Sequence, residues 1–160
     1  MTMIRFRTGA ALAAAVLLMA ACESTTPTEA TFNATWAGER WRGDASASFA
    51  PGDTLWIHGS SPAGGRFPES SVSIGVPYTG PGTYTLPAGT AYVHYLIGGD
   101  VLTASYVNVA DSWLVIDEVA DGRVRGSVIF AAAHASGGQP VGAAATFEGF
   151  FNARLFTIPE

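Results

Sequence analysis

The sequence predicts an all-β domain, an antiparallel β-sandwich of about eight to ten short strands, with a small closed β-barrel as the alternative. Three observations lead there. From residue 31 onward, apolar and polar residues alternate with a period of two, the repeat of a strand with one face on a core. Turn signals recur at short intervals, at Pro51-Gly52-Asp53, Gly80-Pro81-Gly82, Pro87-Ala88-Gly89, Gly98-Gly99-Asp100 and Asp121-Gly122. No stretch carries the repeat of a long amphipathic helix. The alanine-rich pieces at 131–135 and 143–145 favour helix by propensity, but they are short and lie close to Gly and Pro, so at most one brief helix is expected.

The chain opens on a different kind of segment. Arg5 and Arg7 precede an apolar run from Thr8 to Leu18, followed by Met19-Ala20-Ala21-Cys22. A transmembrane helix needs about 20 apolar residues. A positive start, a shorter apolar core and small residues before a cut are the marks of an export signal. The last four residues resemble the bacterial lipobox, Leu-(Ala/Ser/Thr)-(Gly/Ala)-Cys, with Met19 in place of the leucine. The expected organisation is a lipoprotein signal peptide at 1–21, a lipidated flexible tether at 22–30 and a β-sandwich domain at 31–160. Cys22 is the expected lipidation site, its sulfur carrying diacylglycerol and its membrane partner the bilayer itself. Glu23 follows it rather than aspartate, which leans towards the outer membrane. More than one acyl chain makes such an anchor stable. Residues 23–30, Glu-Ser-Thr-Thr-Pro-Thr-Glu-Ala, lack large apolar groups and suit a short tether.

The strands follow in order. Phe32, Ala34 and Trp36 alternate with Asn33 and Thr35, and Ala45, Ala47 and Phe49 alternate with Asp44, Ser46 and Ser48. Gly38-Glu39 suits a hairpin turn that brings Trp41 beside Trp36 or Phe32. Residues 54–59, 71–77, 83–86, 90–97 and 101–109 give five more candidates. In the 90–97 segment Tyr92, His94 and Leu96 oppose Val93, Tyr95 and Ile97, so both faces are bulky. The clearest hairpin spans 113–130 about Asp121-Gly122, because glycine accepts positive φ. Gly126 inside its return strand marks a bulge or a close aromatic neighbour. Residues 136–140 read as a loop, and the last strands cover about 144–157 with a break near Gly149-Phe150-Phe151.

Several of these segments match a pattern. Phe32-Asn33-Ala34-Thr35-Trp36-Ala37-Gly38-Glu39-Arg40-Trp41 gives Phe-x-Ala-x-x-x-Gly-x-x-Trp, and Gly82-Thr83-Tyr84-Thr85-Leu86 gives Gly-x-Tyr-x-Leu. Gly126 to Phe130 and Gly149 to Ala153 supply Gly-(Thr/Ser)-x-x-Phe and Gly-x-Phe-x-Ala. Together they resemble a family of bacterial lipoproteins with an all-β domain. The resemblance implies such a domain behind a lipid anchor and carries over no catalytic residue.

Composition narrows the function. After residue 21 the chain holds six arginines, no lysine and thirteen acids, a formal charge of −7. A nucleic-acid binder depends on cationic phosphate contacts, so no nucleic-acid partner is expected. With its single cysteine assigned to lipid, the fold has no intramolecular disulfide and depends on its core.

No chemistry-bearing motif follows. His58, His94 and His134 lie in separate strand candidates without metal-ligand spacing, and no metal or other cofactor is expected. There is no Gly-x-Ser-x-Gly elbow, no calcium loop and no phosphate loop with its lysine. Asp111, Asp117, Glu118 and Asp121 gather around a hairpin turn, where solvated acids are common. An enzyme is not expected, and an envelope hydrolase ranks third. The candidate ligand or partner surface is aromatic: Trp56, Tyr92, His94, Tyr95 and Trp113 combine apolar faces with polar handles. The competing reading places these rings in the core. The leading expectation is a non-enzymatic binding or structural accessory of the cell envelope, tethered at the periplasmic face of the outer membrane or at the cell surface, with an envelope protein or a glycan as partner. A barrel binding a small apolar or glycan ligand is the alternative.

Overall fold

The computed structural model describes residues 29–64, 67–97, 101–109, 112–137 and 139–156. The expected signal peptide, Cys22 and most of the tether lie outside the described residues. Ten strands follow in chain order: β1 (Thr31–Trp36), β2 (Glu39–Ala50), β3 (Thr54–Ser61), β4 (Glu69–Pro77), β5 (Gly82–Leu86), β6 (Ala91–Ile97), β7 (Val101–Asn108), β8 (Ser112–Ala120), β9 (Arg123–Ser136) and β10 (Gln139–Phe156). The fold is all-β, as the alternation predicts, with no helix among the described residues. The pairing is antiparallel except where Arg154–Phe156 of β10 runs parallel to Ser46–Ser48 of β2.

All ten strands belong to one hydrogen-bonded sheet, folded over into two packed layers in the manner of a sandwich. Two long strands make the corners. Residues 39–44 of β2 pair with β1, and Asp44–Ala50 pair with β3. β9 pairs with β8 through 123–129 and with β7 through 132–134, while its other edge carries β10. One layer therefore holds β1, β10, β9, β8 and β5, and the other β3, β4, β6 and β7. Strands that switch layers at corners are one established way to fold a sheet upon itself.

Inward-facing rings fill the space between the layers. Phe32, Trp36, Trp41, Phe130, Phe147 and Phe151 are buried. Phe32 lies 5.6 Å from both Trp41 and Phe147, and Phe130 stacks on Phe147 at 5.1 Å. A buried indole N–H needs an acceptor, and both are met from the facing layer. Trp41 Nε1 donates to Ser70 Oγ at 2.8 Å, and Trp36 Nε1 to the Tyr95 hydroxyl at 2.8 Å. Leu55, Ile57, Ile74 and Val76 on one layer and Leu86, Leu114, Ile116 and Val128 on the other belong to the same core. Trp41 thus packs with Phe32 as its position predicts, and no disulfide is needed to close the fold.

The turns follow their residues. Ala37 and Gly38 have φ of 50° and 81°, and Asp121 and Gly122 have 51° and 68°, so both central residues of each hairpin are left-handed, which suits the strand twist. Gly126 is explained by proximity. A Cβ there would stand 2.0 Å from the Val115 carbonyl oxygen and 2.8 Å from Phe151 Cζ.

Two expectations are corrected. The segment 136–140 is not a loop: β9 runs to Ser136, β10 resumes at Gln139, and Pro140 faces Ala135 across the ladder. β1 meets β10 only from Phe147 onward, so Pro140 needs no N–H for that side. The irregularity of the last strand falls between Val141 and Ala145, where Gly142 has φ of 80°, and not at Gly149-Phe150-Phe151.

Candidate functional site

The outer face of β3, β4 and β6 gathers the polar and aromatic groups that the core does not use. On β3 Leu55 and Ile57 point inward, so Trp56 and His58 point outward. On β4 Val72 and Ile74 are buried and Ser71, Ser73 and Gly75 alternate with them. On β6 Ala91 and Val93 are buried, leaving Tyr92 and His94 outside. The register sets Trp56 opposite Gly75, His58 opposite Ser73, Ser73 opposite Tyr92, and Ser71 opposite His94. The middle strand thus offers only small groups, and a ring pair stands on each side. Neighbouring strands are about 4.8 Å apart, so the two ring-bearing strands are separated by roughly 10 Å.

Each ring pair is stacked. Trp56 and His58 have centroids 6.0 Å apart and planes within 9°. Tyr92 and His94 have centroids 5.7 Å apart and planes within 9°. Trp56 reaches over β4, since a Cβ on Gly75 would sit 2.9–3.0 Å from its six-membered ring. The Tyr92 hydroxyl donates to the Gly89 carbonyl, which ties that ring down. His58 Nδ1 and Ser73 Oγ are 3.1 Å apart. His94 Nδ1 is buried with no hydrogen-bond partner. Burial lowers the pKa of both histidines from the ordinary 6.5, so at neutral pH both rings are uncharged.

A hollow of about 630 Å³ adjoins this face on the β2 side, lined among others by Asp44, Ser46, His58, Ser60, Arg154 and Phe156. Arg154 pairs with Ser46, Ser46 with His58, His58 with Ser73 and Ser73 with Tyr92. One row of outward side chains therefore crosses five strands, from a cation through hydroxyls and an imidazole to a phenol. Such a row offers flat apolar faces beside hydroxyl and imidazole hydrogen-bonding groups.

The Ser73–His58 pair lacks the other parts of a nucleophilic site. Both residues lie inside strands paired on both sides, so the ladders occupy the surrounding backbone N–H groups that an oxyanion would need. Among the described residues, no three His, Cys, Asp or Glu side chains converge as metal ligands.

Of the residues singled out in the sequence, Trp56, Tyr92 and His94 share this face. Tyr95 does not join them. It points inward, accepts from Trp36 and packs edge-on against Tyr106 at 5.3 Å, and burial raises its pKa. Trp113 stands on β8 in the other layer, 46% exposed. Cys22 lies outside the described residues. His58, Ser73, Gly75, Arg154 and Phe156 are new members of the site. A signal for them exists in the sequence: Trp56-Ile57-His58 and Tyr92-Val93-His94 repeat one aromatic-x-His pattern in two strands. No family model, no curated protein and no solved structure matches the chain.

Proposed function

We propose that the chain is a lipid-anchored protein of the bacterial cell envelope whose β-domain is a non-enzymatic binding or structural accessory. The observation that carries this reading is the segment from Arg5 to Cys22, which joins an export signal to a lipobox-like end at the chain's one cysteine. The described residues contribute a densely packed domain with a polar, aromatic outer face. The test is metabolic labelling with palmitate in a bacterial host that processes lipoproteins. Wild-type protein takes up label and separates with the outer membrane; Cys22→Ala takes up none. An unlabelled wild-type protein sinks the anchor.

A second reading, that the ligand is a glycan, gains from one observation. The stacked pairs Trp56/His58 and Tyr92/His94 flank hydroxyls on β4. A sugar ring offers apolar C–H faces to aromatic planes and hydroxyls to the polar groups between them. The interior is filled by rings, so this ligand belongs on the outside of the sheet. The probes are insoluble chitin, cellulose and purified peptidoglycan. The protein is expected to be retained by at least one of them and released by Trp56→Ala. Retention by none removes the glycan reading and leaves the anchor untouched.

A further inference from the structure

The layer opposite the candidate site carries a second outer face with a different chemistry. Its outward rows run across β2, β1, β10, β9 and β8. One row is Arg42, Asn33, Phe150, Ser127 and Val115; the next is Arg40, Thr35, Glu148, Ile129 and Trp113. Phe150 is 72% exposed and Trp113 46%, and Val115 and Ile129 are half-buried between them. Arg123 and Arg125 project from the same side of β9, Arg125 in an ion pair with Glu118. Arg154 of β10 stands opposite Arg123 on the same side, so five of the six arginines after residue 21 lie on this face of an acidic domain, among the acids Asp44, Asp117, Glu118 and Glu148. The outer face of β3, β4 and β6 has no arginine or lysine among the described residues.

The chain enters the domain at the border of this face, where Glu29 and Ala30 also line the hollow beside His58. The Glu29 carbonyl accepts from Asn152 Nδ2 at 3.5 Å, and its carboxylate lies 4.0 Å from Arg42. Cys22 precedes Glu29 by seven residues, a span of at most about 25 Å when fully extended. Phe150 is two residues from Asn152 on the same face of β10, roughly 7 Å away.

The geometry points to this face as the surface that lies against the bilayer, with Phe150 and Trp113 entering the headgroup layer and Arg40 and Arg42 meeting anionic lipid. This rests on the reading of Cys22 as the anchor. Aromatic rings at headgroup depth and arginines beside anionic headgroups are the two groups a lipid surface accepts best. A short tether holds the domain at an effective concentration of about millimolar, so a face of modest affinity stays docked. Docked in this way, the domain holds the Tyr92/His94 pair of β6 away from the membrane, while the hollow beside His58 stays near the tether.

The experiment places the full acylated chain in vesicles of phosphatidylcholine and phosphatidylglycerol, with and without brominated phosphatidylcholine as quencher. Flotation and the intact mass report the anchor separately. Trp36 and Trp41 are buried and Trp56 is on the other face, so the loss of emission should come from Trp113. The expected result is strong quenching in the wild type, none in Trp113→Phe, and recovery of most of the emission in Phe150→Asp or in the Arg40→Glu/Arg42→Glu pair. A floating, acylated protein whose emission bromolipid leaves unchanged overturns the docking while the anchor stands. A chain that fails to float overturns the anchor and this orientation together.

Discussion

The two outer faces come from the same strand arithmetic and end with opposite characters. On β3, β4 and β6 the outward positions are Trp, His, Ser, Gly and Tyr, with both imidazoles held neutral by burial. On β2, β1, β10, β9 and β8 they include Arg40, Arg42, Arg123, Arg125, Phe150 and Trp113. The difference lies in how their rings are held. Trp56 is laid over Gly75 and stacked on His58, and Tyr92 is stacked on His94 and tied by its hydroxyl. Phe150 is 72% exposed. Restrained rings lose little freedom on meeting a ligand of fixed shape, whereas an exposed ring among charges suits a yielding surface. The first face thus suits the proposed shaped ligand, and the second the proposed lipid surface.

The same substitution placed on each side separates the two most widely. Gly126→Ala, under the arginine face, would set a Cβ 2.0 Å from the Val115 carbonyl oxygen and 2.8 Å from Phe151. Backbone cannot rotate aside, so the expected loss is at the top of the range for overpacking, about 3 kcal/mol or more. Gly75→Ala, under the ring face, meets only the six-membered ring of the half-exposed Trp56, at 2.9–3.0 Å. That indole can swing towards solvent, at a cost of about 1 kcal/mol. Urea unfolding of both variants measures the contrast. Equal losses would mean that Trp56 is as fixed as the sheet itself.

Much of this was legible from residue order, and the limit has a physical form. Side-chain parity puts Tyr92 and His94 on one side of a strand, because a period of two needs no knowledge of pairing. It also put Tyr95 with Val93, and the structure sends both inward. Tyr95 read as a surface residue because parity identifies two faces without saying which is wet when both are bulky. Trp113 was grouped with Trp56 for a related reason. Which layer a strand joins depends on β2 and β9 changing partners along their length, and that is a long-range choice. The hollow beside His58 depends on Arg154 and Phe156 arriving from the far end of the chain. The lipobox-like end at Cys22 is a local motif, readable from residue order alone, and it lies outside the described residues.

A second, smaller effect tests how the layers are held together. The chain crosses from β5 in one layer to β6 in the other through Pro87–Thr90. Asn108, buried at the end of β7, secures this crossing. Its Oδ1 accepts from the backbone N–H of Thr90 and of Ala91, each at 2.9 Å, and its Nδ2 donates to the Pro87 carbonyl at 3.0 Å. Asn108→Leu keeps the branching, orphans the Ala91 N–H and leaves Thr90 N–H only the longer bond to the Pro87 carbonyl at 3.3 Å, for an expected loss of about 2 kcal/mol. Hydrogen exchange should then accelerate at Thr90 and Ala91 more than at the β8–β9 hairpin. Unchanged exchange at both amides would show that the crossing does not depend on this side chain.

The smallest effect is set by pH and should touch one face only. Burial lowers the folded-state pKa of His58 and His94 below 6.5, so between those lowered values and 6.5 the unfolded chain binds more protons than the folded one. Stability from the neutral rings is complete above pH 6.5 and is lost as the pH falls through the folded-state values. Between about pH 7.5 and 5.5, the melting temperature of the wild type should therefore fall, and that of His58→Gln/His94→Gln should fall less. Arg40→Gln/Arg42→Gln should follow the wild-type slope. A double histidine variant as pH-sensitive as the wild type would show that the imidazoles take up protons without strain, and the ring face would lose the neutrality that distinguishes it.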